Sequence, residues 1–429
     1  MTDYTKRASS LHQQHVYRNG PRITAVETLI PDDRFPGYVM LRLHTDATVD
    51  GEPVIGHGET YYIPHAVASM IHDWMARRLL GSDATAIESH WRFFYDRCTA
   101  FGVRGTEMRA ISAMDVALWD ILGQLTKLPI YKLLGGAVRD AIPVYNSSGG
   151  PSYGLLPKDA IDRQGWPGHG DLGKDGPLED NWKSVNKPAE LAEELLSLGY
   201  KCMKVWPFDR IYQEHGGHRV PWNDLIAAIK PLEKIREKVG MAIEISIDGH
   251  GFFSLPAAIR IAQALRDIKP MWLEDVIKPD SADTIAEFRD KAGVPIAVSE
   301  MLVSRDDYRQ ILVGRGADYI MADPTWVGGI SETKRTAEFA QVFNVPTLMH
   351  DCTGPLTLLS GVHVTAAVPN VCYQESVRAH ISTLYPHFID EPPKIENGHI
   401  ALPTRPGIGV KFLPELFTPE HAGYRISRL

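Results

Sequence analysis

Eight short apolar runs between residues 141 and 377 constrain the fold of this 429-residue chain more than any other feature. They read AIPVYNSS, GYKCMKVWP, MAIEISID, PMWLEDV, PIAVSEM, ADYIMADP, PTLMHDC and VCYQESV. Amphipathic stretches such as DLIAAIKPLEKIREKVG and LPAAIRIAQALRDI lie between most of them. Near-continuous hydrophobic strands imply burial on both faces, which a parallel sheet covered by crossover helices provides. Eight βα units in succession close a barrel. The expected fold class is α/β, a modified TIM (β/α)-barrel.

The flanking sequence is organised differently. Within residues 1–140, RITAVETLI and GYVMLRLHTD alternate as strands do, joined by the turn-rich PDDRFP. Met108 to Leu134 then spaces apolar residues at helical period, with Ile111, Met114, Leu118, Leu122 and Leu125 on one face. Pro129 breaks this helix and Gly135-Gly136 ends its last turns. Strands followed by helices predict an α+β domain over 1–140. The barrel is expected over 141–380, and the tail, 381–429, is expected to fold back on the first domain. Residues 149–187 interrupt the barrel rhythm with a stretch rich in Gly, Pro, Asp and Lys, too long for an ordinary loop. Its place after barrel strand 1 suits a substrate lid or a surface elaboration.

Composition removes several classes of function. Net charge is −8, which leaves no basic footprint for nucleic acid or an anionic membrane surface. No apolar run approaches the ~20 residues of a transmembrane helix. The opening MTDYTKRASSLHQQHVYRNG has no signal-peptide core. Cys98, Cys202, Cys352 and Cys372 are too scattered for a zinc knuckle or a disulfide scaffold. A soluble, cytoplasmic homo-oligomer is the expectation.

Each late strand also carries one polar residue near its C-terminal end, where a purely structural strand would be apolar. These are Lys204, Asp248, Glu274, Glu300, Asp323, His350 and Glu375. From Asp248 onward they recur at steps of 26, 26, 23, 27 and 25 positions, one βα repeat each. Groups in that register converge in one ring at the top of a barrel, where barrel enzymes keep their active sites. Asp248, Glu274 and Glu300 would repel one another on consecutive strands unless a cation neutralised them. An all-oxygen set without cysteine suits Mg²⁺. Three unrelated acidic strand ends would not share a register.

Asp323 and His350 occupy the next two strands, about 4.8 Å apart, so the carboxylate can orient the imidazole. That arrangement predicts a general base of near-neutral pKa. His250 follows Asp248 by two positions and shares its side of the strand. It could ligate the metal, donate a proton to a leaving group, or cap the loop. Lys204 could hold a substrate carboxylate, polarise an enolate, or simply be solvated. Trp206 is expected to pack beneath the substrate, and Glu375 to share a proton with a developing oxyanion. Asn146 and Ser147 end strand 1 within reach of a ligand. Parity turns Glu244 and Ser246 inward below Asp248, and a buried Glu244 has no evident role.

These residues resemble the enolase superfamily, in its mandelate racemase-like branch, from about residue 20 to the end. The helix AISAMDVALWDILGQLTKLPIYKLLGG, the Asp/Glu/Glu triad, and DPTWVGGIS followed by MHDCTGP carry the resemblance. It implies an N-terminal capping domain over a modified barrel, one bound Mg²⁺, and removal of the proton α to a carboxylate. It further implies Asp248, Glu274 and Glu300 as metal ligands, Asp323–His350 as the base dyad, and Glu375 as the group that hydrogen-bonds the enediolate. Racemases of this branch carry Lys-x-Lys after strand 2. Here the stretch is Lys204-Val205-Trp206, so the opposite-face base is missing. Muconate cycloisomerase and enolase place a lysine on strand 6, where this chain has Asp323. Asp248-Gly249-His250 instead looks like the Asp-x-His of acid-sugar dehydratases, whose histidine assists loss of the β-hydroxyl.

The resemblance thus implies Mg-dependent dehydration of an acid sugar, an aldonate or aldarate, to a 2-keto-3-deoxy acid. Mg²⁺ and Lys204 would bind the carboxylate, His350 would take the α-proton, and His250 or His350 would protonate the departing hydroxyl. Specificity is expected from PDDRFPGY (31–38) and GHGETYYIPH (56–65). There Tyr61 and Tyr62 could hydrogen-bond sugar hydroxyls or pack against the barrel rim. The alternatives are a cycloisomerase or epimerase of a sugar acid or its lactone, and a barrel that only binds a metabolite. An amidohydrolase would need a His-x-His pair after strand 1, and VYNSSGG has none.

Overall fold

The computed structural model describes residues 20–31, 37–151 and 174–429. Strand β1 (Ile23–Leu29) is followed by a hairpin of β2 (Tyr38–Val49) and β3 (Glu52–Tyr61). Asp50 and Gly51 join the hairpin at φ of 53° and 87°, the two-residue turn whose twist suits paired strands. Residues 56–61, expected in a specificity loop, belong instead to the β2–β3 ladder. Their glycines face a helix, Thr106–Thr126: a Cβ at Gly58 would lie 2.0 Å from the Ala113 carbonyl oxygen. Of the other expected specificity loop, residues 32–36 lie outside the described residues.

The helix expected over Met108–Leu134 ends sooner. Lys127 closes it in the left-handed region at φ 56°, and Pro129 begins a separate turn, Ile130–Leu133. Its burial runs all the way round from Ala110 to Leu118 and is not confined to one face. Ile111 and Leu118 pack with the antiparallel strands, whereas Val116 packs with the barrel. The helix is the filling between two layers.

All eight apolar runs form barrel strands. They are β4 (Ala141–Ser147), β5 (Cys202–Val205), β6 (Glu244–Asp248) and β7 (Trp272–Glu274). β8 (Ile296–Val298), β9 (Tyr319–Ala322), β10 (Thr347–Met349) and β11 (Val371–Ser376) follow. They pair in parallel in that order, and β11 returns to β4 with Glu375 opposite Tyr145, closing the barrel. Beyond it, β12 (Ile395–Glu396) and β13 (His399–Ala401) add an antiparallel flap to β4. The last strand, β14 (Tyr424–Arg428), pairs with β1 and gives the order β14-β1-β2-β3. Among the described residues, no helix is long and apolar enough to cross a membrane.

Side-chain alternation sorts the barrel interior into two layers. Tyr145, Cys202, Trp272, Ala297, Met321 and Leu348 form a buried apolar layer. Two positions beyond most of these stand Ser147, Lys204, Glu274, Asp323 and His350. The barrel is apolar below and ionisable above.

Buried carboxylates tie the antiparallel layer to the barrel. Asp115 accepts from the Ser331 N–H (2.9 Å) and hydroxyl (2.6 Å) at the start of the helix Gly329–Val342. Glu59 accepts from the Thr357 N–H (2.6 Å) and hydroxyl (2.8 Å) at the start of the helix Pro355–Ala367. Each carboxyl meets the positive end of a helix that follows one strand of the Asp323–His350 pair. Gly329 permits the first contact: its φ is 85°, and a Cβ there would stand 2.2 Å from Asp115 Oδ2. Asp115→Ala is expected to cost about 2–3 kcal/mol by stranding a buried N–H. A lowered urea midpoint with unchanged far-UV spectrum would register it.

Of the stretch 149–187, residues 152–173 lie outside the described residues. Its end is not aperiodic: Asp180–Asn186 is a helix. Seven residues are too few to display a helical period. Asp180 anchors it, accepting from Arg378 Nε (2.7 Å) and Nη2 (2.6 Å) and from Asn146 Nδ2 (2.9 Å).

Candidate active site

The ionisable layer gathers at the C-terminal ends of the barrel strands. Asp248 and Glu274 are paired across β6 and β7, and one oxygen each of Asp248, Glu274 and Glu300 lies within 4.8 Å of the others. Lys204 is buried among them and is not solvated. Its Nζ stands 2.7 Å from Glu274 Oε1, 2.7 Å from Glu375 Oε1 and 3.3 Å from Asp248 Oδ2. Burial, with the charges of Asp248, Glu375 and Glu300, pushes Glu274 well above the carboxylate range against the pull of Lys204. Asp248 goes the other way, to about 2, because His250 and Lys204 outweigh its burial.

One ammonium does not satisfy this cluster. Glu300 Oε2 is buried with no hydrogen-bond donor among the described residues. Three hard oxygens, mutual repulsion and an unmatched buried acceptor fit a hard divalent cation. Asp248, Glu274 and Glu300 are the residues that would hold it.

His350 lies on the far side of the ring. Its Nδ1 is 2.9 Å from Asp323 Oδ2, and its Nε2 is 3.9 Å from Glu375 Oε2. Asp323 is itself held, since its Oδ1 accepts from the Thr325 N–H (2.7 Å) and hydroxyl (2.8 Å). Trp326 packs 4.9 Å from the imidazole and donates from Nε1 to the Thr353 hydroxyl at 2.9 Å. Without a cation at the triad, the surroundings of His350 favour its charged form. Burial opposes its charge, but Cys352, Glu375 and Asp323 outweigh burial and hold the imidazole well above its ordinary value. Positive charge added at the triad would act in the opposite direction.

His250 faces the same cavity, at φ 51° just past β6. Its Nδ1 is 3.0 Å from Asp209 Oδ1, its N–H donates to Asp248 Oδ1 at 2.9 Å, and its Nε2 is 3.5 Å from Asp248 Oδ2. Burial disfavours the imidazolium, yet Asp209 and Asp248 raise its pKa to about 10. Ser147 and Trp206 also line the cavity, with the Trp206 ring 5.7 Å from His250.

Two expected ligand contacts do not reach it. Tyr61 is buried against Gly37 and the Tyr62 ring, 4.6 Å away, and Asn146 spends its amide on Asp180. Glu244, expected buried, is half-exposed at the opposite end of the barrel, while buried Ser246 donates to the Met203 carbonyl. Sequence reasoning missed Tyr145 and Trp272, which donate from the layer below to Glu375 Oε2 (3.0 Å) and Glu274 Oε2 (3.1 Å). Trp272 stands two positions before Glu274 and Tyr145 two before Ser147, so parity could have placed both in the layer below. It also missed Trp326 and Cys352, which lie in irregular connections where no period exists, and Asp209, which opens a helix too short to display one.

Comparison with known proteins agrees with this architecture. Residues 187–416 match the enolase C-terminal domain-like family, and residues 11–135 match the mandelate racemase / muconate lactonizing enzyme N-terminal domain. An arabinonate dehydratase of Saccharolobus solfataricus is 28% identical over 84% of this chain and 85% of its own length. A D-xylonate dehydratase of Haloferax volcanii is 27% identical over 90% of this chain and 86% of its own. A solved enolase of the mandelate racemase subgroup, from Agrobacterium tumefaciens, superposes with a TM-score of 0.80 at 32% identity. That match covers 95% of this chain and 99% of the other.

Proposed function

We infer the function from one premise: the chain belongs to the mandelate racemase / muconate lactonizing enzyme family of the enolase superfamily. It is a hydro-lyase that removes water from an acid sugar, giving a 2-keto-3-deoxy acid, with Mg²⁺ held by Asp248, Glu274 and Glu300. The dehydratases among its relatives support the reaction class. The observation that carries the reading is a single cavity lined by two imidazoles, His350 and His250, with Trp206 where a racemase would place its second lysine.

When bound, Mg²⁺ supplies a Lewis acid for the substrate carboxylate and for the charge that develops on it. Lys204 adds a fixed positive charge on the same side of the ring. His350, oriented by Asp323, removes the α-proton through Nε2. Glu375, beside that nitrogen, shares a proton with the enediolate oxygen. His250 protonates the β-hydroxyl, which departs as water, and the enol becomes the keto acid. Trp206 and Ser147 shape the floor on which the sugar chain lies. Domains of 1–140 with 381–429 as a cap, over a barrel of 141–380, complete the reading, which the β14–β1 pairing supports. The reading also takes the protein to be a cytoplasmic homo-oligomer.

Incubation with Mg²⁺ and a library of aldonic and aldaric acids, assayed for keto acid with semicarbazide, tests this. One or two substrates should give product. EDTA should abolish it and added Mg²⁺ restore it, and Glu274→Gln should be inactive throughout. An epimerase or cycloisomerase would instead exchange α-protons with solvent without forming keto acid.

A further inference from the structure

The cavity holds two histidines built on one plan. His350 gives Nδ1 to Asp323 at 2.9 Å, and His250 gives Nδ1 to Asp209 at 3.0 Å. Each turns Nε2 toward a carboxylate of the ring, at 3.9 Å (Glu375) and 3.5 Å (Asp248), and each packs against a tryptophan, Trp326 or Trp206. In both pairs the aspartate follows one barrel strand and the histidine follows the next. Asp323 and His350 follow β9 and β10; Asp209 and His250 follow β5 and β6. Four strands separate the pairs in each case, half the circumference of an eight-stranded barrel. The two imidazoles therefore come from opposite strands to one cavity, which both line.

We propose that Asp209 is a positioning residue that makes His250 an opposed dyad, accepting from Nδ1 and so turning the Nε2–H toward the leaving hydroxyl. This rests on the dehydratase reading above and assigns its acid half a partner. Asp209 stands buried at the first turn of the helix Asp209–His215, and the metal triad does not use it. An acceptor on one ring nitrogen sets the tautomer, so the other nitrogen handles the proton. Without Asp209 the ring could turn to Asp248 instead. In the step itself the α-proton passes to His350 Nε2 and its electron pair forms the C=C bond. The C–O bond breaks with its own pair, and the oxygen takes the His250 Nε2 proton and leaves as water. Ketonisation and solvent return both histidines to their starting protonation.

Asp209→Ala and Asp209→Asn in the Mg²⁺-loaded full chain test the proposal, with proton NMR in D₂O reading α-exchange and keto acid together. Asp209→Ala should keep α-exchange within the wild-type order of magnitude while dehydration falls about 100-fold, the worth of a misplaced acid. Asp209→Asn, whose amide oxygen can still accept from Nδ1, should recover most of that loss. Exchange and dehydration falling together, or no change in either, would overturn the assignment. A second readout needs no substrate: in selectively ¹⁵N-histidine-labelled protein, His250 should show a protonated Nδ1 that Asp209→Ala loses. An unchanged His250 signal would overturn it as well. If the wild type exchanges α-protons but forms no keto acid, it is the dehydratase reading that fails, and the nitrogen spectrum still decides the role of Asp209.

Discussion

His350→Asn is expected to abolish α-proton exchange and dehydration together, by about 10²- to 10⁴-fold or more, while Mg²⁺ still binds. Asparagine nearly matches imidazole in reach and can still donate to Asp323, so packing against Trp326 is largely preserved. It has no nitrogen that takes up a proton. Both reactions must pass through loss of the α-proton, so neither can survive if His350 is the base. Partial survival of exchange would move the base elsewhere, and His250 is the group that could then assume it. Exchange read by NMR separates these outcomes, because it does not depend on the acid step.

Lys204→Met is expected to have the next largest effect, on stability as well as rate. The ammonium lies within 3.3 Å of Asp248, Glu274 and Glu375, all buried. Removing one partner of a buried ion pair costs about 3–5 kcal/mol, because the charge left behind has no compensation. The cost should fall mainly on the metal-free protein, since a bound cation neutralises two of those carboxylates, Asp248 and Glu274. The Tm of the variant should therefore drop sharply without Mg²⁺ and recover most of the drop when Mg²⁺ is added. The Mg²⁺-induced rise in Tm should exceed that of the wild type. Equal losses with and without Mg²⁺ would mean that Lys204 is only a packing residue.

How much of this was legible depended on whether a residue sat in a period. Asp248, Glu274, Asp323, His350 and Glu375 recur with the βα repeat, Lys204 ends the strand before them, and each strand's alternation turns them inward. The barrel and its upper ring could be read together for that reason. The strand β3 was hidden because Gly56 and Gly58 look like loop residues, and only the helix lying on them explains the glycines. The turn signal Asp50-Gly51 was present but had no second strand assigned to it. The helix Asp180–Asn186 is held by Arg378, almost two hundred positions away, and no local pattern could announce it. Asp209 escaped for the same reason, since an orienting partner is defined by the ring it faces and not by its spacing. The field that Cys352, Glu375 and Asp323 exert on His350 likewise has no signature in the spacing, since only packing creates it.

Dehydration run to completion in D₂O, with the product read by proton and carbon NMR, decides between elimination and the other enediolate reactions. Abstraction at C2 followed by loss of the β-hydroxyl predicts a C2 ketone and one deuterium at C3, with the C2 proton gone. A product that keeps its β-hydroxyl and carries deuterium at C2 would contradict it, and would make the protein an epimerase built on the same metal triad and base.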